Sequence, residues 1–400
     1  MPSAPSSGVI VHRLESVDIL RGLVMVIMAL DHARDFFSKL TFPPENLEKT
    51  YYALFFTRWI THFCAPLFFF LAGTGAFFYG QRRSSADLRR FLLSRGAWLI
   101  VLEFTIIGTA WTFLAPWGFF GVIWCLGTSM LVLSQLVRLP ARWLAILSVA
   151  VVVTHDVTDT LRPESLGSWG WLWSLLHVSG PLTIADHFHN FVLFPLVPWF
   201  AVMSGGFALG EVLRRERTAR KRAIGLLGAG MTLAFVLLRI TNLYGNPPDG
   251  TGVVSPGTWH RQPTFEKTVI LFLDTEKYPP SLQFLLMTLG PSLLLLAFLD
   301  SDRLRLVWKP LLTFGRVPMF FYILHLYVIH GLAVALALVL HQPVQWLFHG
   351  AIFGPIPPGY GHDLPFVYFM WAATIATLYG PCVWFARFKQ CRKDWWLSYL

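Results

Sequence analysis

Charge is scarce in this chain. Only 14% of its 400 residues are Asp, Glu, Lys or Arg, against about 25% in a soluble domain. A soluble globular enzyme is therefore excluded, and most of the length must be spent in spans. Cysteine is also scarce: Cys64, Cys125, Cys382 and Cys391 are the four. Three lie in apolar runs and no pair has metal-ligand spacing, so neither a disulfide framework nor a zinc site is expected. No Asn-x-Ser/Thr acceptor occurs, so nothing points to a glycosylated lumenal protein. Residues 1–12 lack the charged start of a signal peptide, and the apolar run after them is too long for its core. The expectation is an uncleaved first span. There is no convincing internal repeat, which weighs against the inverted-repeat plan of many transporters.

Long apolar runs are what the chain has instead. A span needs about 20 mainly apolar residues. Ten segments qualify, at roughly 18–38, 53–79, 91–113, 119–137, 142–158, 190–213, 222–241, 281–300, 311–340 and 366–388. The predicted fold class is all-α, a polytopic membrane bundle of about ten helices forming one domain over 1–400. Residues 1–17 and 389–400 are its terminal segments. Gly315 and Pro318 predict a kinked or broken ninth span.

The net charge of +10 does not point to nucleic acid, because the cations sort by loop. Arg82, Arg83, Arg89 and Arg90, the run Arg214–Arg222, Arg303, Arg305 and Lys309, and the cations of the last residues all fall on one side. Only Lys39, Lys49, Arg162, Arg261, Lys267 and Lys277 fall on the other. Positive charge marks the cytoplasmic side, so both termini are expected on that side of the membrane. The long loops 159–189 and 242–280 then lie outside.

The first span carries the most polar groups: Asp18 and Arg21 at its start, then Asp31, His32, Arg34 and Asp35. Ionisable groups at membrane depth face a protein interior or a wet cavity. His32 can serve as base or nucleophile, or simply bond a neighbouring helix. Arg58 and His62 are four apart, on one helical face, at a depth near His32. They read as part of the site or as an interhelical pair. Asp18 and Arg21, three apart, read as an anion site for a phosphorylated donor or as an arginine reaching the headgroups. Glu103, in mid-span, requires a partner from another helix. His325 nearly shares a face with Tyr322 but not with Arg316. Asp186 and His187 at the mouth of the sixth span, with Arg239 and Asn242 at the outer end of the seventh, could bind a polar acceptor or be solvated helix ends. No metal is expected.

These residues carry a resemblance. RLESVDILRGLVMVIMALDHARDFF and RWITHFCAPLFFFLAG resemble the start of bacterial membrane proteins grouped with the catalytic domain of heparan-alpha-glucosaminide N-acetyltransferase. LSRGAWLIVLE, VIWCLGTSM, FPLVPWFAVMSGG, KYPPSLQFLLMTLGP and FGRVPMFFYILHLYVIH fit the bacterial branch of that group. The first span also resembles the membrane acyltransferases that modify surface polysaccharides. They have an arginine and a histidine separated by ten residues, as Arg21 and His32 are here, and the histidine serves transfer. The lysosomal enzyme has asparagine in place of His32. Its catalytic histidine precedes the second span, where 41–52 contains none, and it has aspartate in place of His62. Acetylation of a terminal glucosamine therefore does not carry over.

What the resemblance implies is a transmembrane acyltransferase with acetyl-CoA as cytoplasmic donor, bound near Asp18 and Arg21. The acceptor would be a carbohydrate or glycolipid on the outer face. Joined to the reading of the residues above, that plan makes His32, His62 and Asp31 catalytic, with Arg58, Asp186, His187, Arg239 and Asn242 serving acceptor or oxyanion. A transporter or flippase of a small polar or lipid-linked solute is the alternative. The sequence leaves a homodimer open.

Overall fold

The computed structural model describes residues 14–81, 83–114, 118–184, 188–247, 257–301, 308–349, 354–392 and 394–399. These residues form a bundle of α-helices with one two-stranded hairpin. Eight helices are long and apolar enough to cross a membrane. The first span, α1 (Glu15–Phe37), and α6 (Val122–Leu136) complete the ten expected segments. The protein is a polytopic helical membrane protein.

Three spans are interrupted. The second divides at His62 and Phe63 into α2 (Tyr52–Thr61) and α3 (Cys64–Gly80). The third runs as α4 (Ser85–Leu102), a π-helical turn at Glu103–Ile107 and α5 (Gly108–Thr112). The ninth breaks at Val317, where ψ reaches 51°, between α13 (Lys309–Arg316) and α14 (Pro318–Val339). Proline disfavours the α region for the residue before it, so the expected break falls at Val317.

The remaining helices are α7 (Ala141–Thr154), α8 (Gly170–Leu176), α9 (Leu196–Leu213), α10 (Arg217–Thr241), α11 (Phe265–Leu273), α12 (Leu282–Leu299) and α15 (Leu364–Cys391). The sixth span starts six residues later than expected. Phe188–Val192 (β2) pairs antiparallel with Gly180–Ile184 (β1), Leu182 opposite Asn190, and Pro195 is the N-cap of α9. His189 thus sits on a strand.

The helix with the most ionisable residues is also the central one. α1 packs against α2, α3, α12, α13, α14 and α15. α7, α10 and α15 instead expose apolar faces such as Val149, Leu233 and Phe369, as lipid-facing helices must. A span loaded with charge is tolerable only where protein surrounds it.

Helices approach closely through paired glycines. Gly73 and Gly206 join α3 to α9, Gly96 and Gly127 join α4 to α6, and Gly228 and Gly290 join α10 to α12. Gly22 and Gly315 bring α1 against α13. A Cβ on Gly22 would run into the Leu311 carbonyl oxygen, and one on Gly315 into that of Asp18. Small residues let helices pack without a hydrophobic driving force in lipid. Gly315→Ala should therefore destabilise the protein by about 1–3 kcal/mol, the usual cost of overpacking. Thermal unfolding of the purified protein measures it, and an unchanged transition would refute backbone contact there.

The C-terminal end of α1 is tied down. Lys39 N–H donates to the His362 carbonyl (3.1 Å), His362 N–H to that of Phe37 (2.8 Å) and the Tyr360 hydroxyl to that of Phe36 (2.6 Å). The last two satisfy carbonyls left open where the helix ends in extended backbone at Ser38. They fix the turn that follows His32.

Candidate active site

The last turns of α1 carry the first half of the site. Arg34 Nη2 lies 2.9 Å from Asp31 Oδ1 and 2.8 Å from Asp35 Oδ1. Asp31 Oδ2 accepts from Arg58 Nη1 at 2.7 Å, and Arg58 Nε donates to Glu45 Oε1 at 2.7 Å. His62 Nε2 stands 3.5 Å from the same Glu45 oxygen. Charges of opposite sign thus alternate from Asp35 through Arg34, Asp31 and Arg58 to Glu45. Each is mostly buried, and each survives because its neighbours replace the water it lost. Three carboxylates against two guanidinium groups leave one negative charge, which Lys277 offsets from the wall of the same cavity. Glu45 lies in the loop after α1. Burial raises its pKa, but Arg58 and His62 outweigh that and hold the carboxyl below the usual carboxylate range.

His32 sits one position from Asp31 and faces the opposite helix. Its Nδ1 lies 2.7 Å from Nε2 of His325 on α14. Trp111 meets the ring edge-on, with centroids 5.2 Å apart. Trp111 is itself stacked on Phe36, 5.5 Å away. The imidazole is therefore held on two sides and opens onto a chamber.

Three chambers follow one another, named from outer to inner toward the side that carries the arginine-rich loops. The middle one, about 270 Å³, is lined by Asp31, His32, Arg58, Glu103, Trp111 and Lys277. The outer one, about 240 Å³, is lined by Glu45, His62 and Glu276, and shares Arg34, Arg58, Lys277 and Tyr278 with the middle one. The inner one, about 340 Å³, lies on the side of the arginine-rich loops. It has an apolar body (Met25, Leu126 and Met319 among others) and four cations, Arg21, Arg95, Arg316 and Lys389. It shares Phe68, Val122 and Tyr322 with the middle chamber. Tyr322 thus stands in the wall between them.

Glu103 finds its partner on another helix, as required, but the partner is not a cation. Its Oε2 accepts from Trp124 N–H at 2.8 Å, at the start of α6. Gly121 is the N-cap there and offers no side chain. A carboxylate supplied from a neighbouring helix satisfies that terminus and suits its positive dipole end. The π-helical turn beginning at Glu103 directs the residue there.

The structure brings Asp31, His32, Arg58 and His62 around two adjoining chambers. Arg21 lies at the inner chamber, 3.0 Å from Asp18 Oδ1, and donates to the Gly315 carbonyl at 3.1 Å. Arg220 turns away to pair with Asp300 at 2.6 and 2.9 Å. Arg239 and Asn242 join neither chamber. Arg239 is wholly buried and donates to the carbonyls of Phe272 (2.8 Å), Gly257 (2.8 Å), Leu271 (2.6 Å) and Asp274 (2.6 Å). It closes the C-terminal end of α11, where a cation is favoured. Asn242 adopts φ 50° and bonds the Trp259 backbone. Asp186 and His187 lie outside the described residues, as do Arg13, Arg82, Arg303, Arg305 and Lys393 among the loop cations. Among the described residues no cluster could hold a metal ion.

Sequence reasoning gave no role to Glu45, Lys277, Arg95 or Lys389, and none beyond packing to Arg316, Tyr322 or His325. Glu45 and Lys277 are in loops, where no periodicity marks a facing direction. The four inner cations come from four different helices and converge only on folding.

The chain is matched over residues 13–238 by the family model described as heparan-alpha-glucosaminide N-acetyltransferase, catalytic. That stretch runs from α1 into α10 and includes Arg21, Asp31, His32, Arg58, His62 and Glu103. No curated protein matches the chain. With a central polar helix, a half-buried histidine facing a chamber, and a match over more than half its length, the chain belongs to the heparan-alpha-glucosaminide N-acetyltransferase catalytic-domain family and is a multi-pass membrane acyltransferase.

Proposed function

We propose that this protein moves an acetyl group from cytoplasmic acetyl-CoA to an amine or hydroxyl on a sugar-containing acceptor at the outer face of a bacterial inner membrane. The observation that carries this reading is the sequence of three adjoining chambers with His32 in the middle one. The inner chamber has the features of an acyl-CoA site. Arg21, Arg95, Arg316 and Lys389 suit its phosphates, and the apolar body suits the pantetheine arm. The thioester then reaches past Tyr322 to His32. The outer chamber takes the acceptor between groups of both signs, Arg58 and Glu45 with His62, which suits a ligand rich in hydroxyl or amine groups. His32 acts as base or carries the acyl group, Asp31 fixes Arg58, and Arg58 meets the developing oxyanion. Arg239 and Asn242 serve this end at one remove, by holding the loop that leads to Lys277 and Tyr278.

Binding of acetyl-CoA to the purified protein, followed by calorimetry, tests the reading. Wild type should bind in the micromolar range. Arg21→Ala and Arg316→Ala should each weaken binding about 10-fold or more, the effect of losing a hydrogen bond to a charged group. His32→Ala should bind as wild type does. A through-going row of chambers is also what a transporter or flippase of a polar or lipid-linked solute needs. Well-folded protein that binds no acyl-CoA would favour that reading.

A further inference from the structure

We infer that His325 is a positioning residue that fixes His32 as the Nδ1-protonated tautomer, making Nε2 of His32 the reacting nitrogen. The inference rests on the acyl-transfer reading above and specifies which atom performs it.

The argument is one of donors and acceptors. His325 Nδ1 lies 2.5 Å from the Tyr322 carbonyl oxygen and 3.2 Å from that of Phe321, both in the preceding turn of α14. Carbonyl oxygens only accept, so Nδ1 of His325 carries a hydrogen. In a neutral ring its Nε2 then has none and can only accept. Among the described residues no carboxylate hydrogen-bonds His325, so nothing there favours the doubly protonated ring. His32 Nδ1, 2.7 Å from that Nε2, must be the donor. Ring orientation agrees. The planes are 17° apart with centroids 4.9 Å from each other, a separation that pairs with so short an N–N contact only when the rings meet edge to edge. His32 Nε2 is left with its lone pair. The tautomer is thus set by a bond on the far side of the ring, as a partner on one imidazole nitrogen ordinarily sets the other.

The consequence is chemical. In transfer, Nε2 takes the proton of the acceptor O–H or N–H as that oxygen or nitrogen bonds to the acyl carbon. The carbon–sulfur bond breaks, and the proton passes to the departing thiolate. Positive charge appears on His32 meanwhile, and its Nδ1–H becomes a stronger donor to His325. The break at Val317 and Pro318 gives this arrangement its place, because α14 restarts there and sets Tyr322 and His325 along α1 (Tyr322 in the chamber wall, His325 behind the base).

The test uses full-length protein labelled with 15N-histidine, in lipid nanodiscs, with the His32 signals assigned by their loss in His32→Ala. Wild type should show His32 protonated at Nδ1 and bare at Nε2. His325→Gln, whose carbonyl can still accept from Nδ1, should keep that tautomer and keep acetyl transfer within about 10-fold. His325→Phe should lose the tautomer and about 100-fold or more of transfer, the scale of misplaced acid–base catalysis. A wild-type His32 protonated at Nε2, or His325→Phe with a wild-type transfer rate, would overturn the inference. Wild type that shows the expected tautomer but transfers from no acyl-CoA would instead refute the acyl-transfer reading.

Discussion

His32→Ala is expected to lose acetyl transfer by 10²- to 10⁴-fold, the range of general acid–base catalysis, while the protein stays folded. The two halves of that expectation have separate causes. The activity falls because the imidazole is the histidine shared by the middle chamber and the α14 contact. The nearby carboxylates Asp31 and Asp35 are engaged by Arg34 and Arg58 at 2.7–2.9 Å, so neither is placed to take over as base. The fold survives because the ring faces a cavity rather than filling a packed core. Its removal costs one hydrogen bond, about 1 kcal/mol net, and part of the contact with Trp111. Transfer from labelled acetyl-CoA in nanodiscs, beside a melting curve, reads both. Full activity in a folded His32→Ala protein would remove this histidine from the mechanism.

Arg58→Met should be the most destabilising single change at the site, by about 3–5 kcal/mol, the cost of breaking a buried ion pair from one side. Arg58 bonds Asp31 and Glu45, each at 2.7 Å. Without it two buried carboxylates lose a partner. Glu45→Gln should therefore rescue part of the loss, since neighbours in one network are not additive. The same geometry sets a pH dependence. Glu45 has a folded pKa below its unfolded value of about 4.3. Its stabilisation is complete above the unfolded pKa and is lost as pH falls through the folded one. The gap in melting temperature between wild type and Glu45→Gln should be flat above pH ~5 and narrow below pH ~4. A gap that widens on acidification would mean that Glu45 is not the anion this network requires.

The sequence alone determined where the apolar helices lie and the exceptional status of α1. Both rest on local physics, because apolar length is set by the bilayer and charge inside a span is costly enough to stand out. The kink at Pro318 was legible for the same reason, since proline restricts the residue before it whatever the surroundings. The nearness of Arg58 and His62 could be read from their spacing, although α2 ends just before His62 and it is Glu45 that both approach. The need of Glu103 for a partner could be read from its depth. The identity of that partner could not, because a helix N-terminus leaves no side chain in the sequence to recognise. Nor could Glu45, Lys277 or the four inner cations be gathered into sites. They lie on loops and separate helices, and their distances exist only once the glycine-paired helices have packed. Arg239 shows the converse: its place at a span's outer end marked it as a candidate ligand for an acceptor, but the fold surrounds it with four carbonyls and makes it the clasp of a loop. The pairing of His32 with His325 spans 293 positions. No periodicity connects them, and only the parallel packing of α1 with α13 and α14 decides that one ring faces the other.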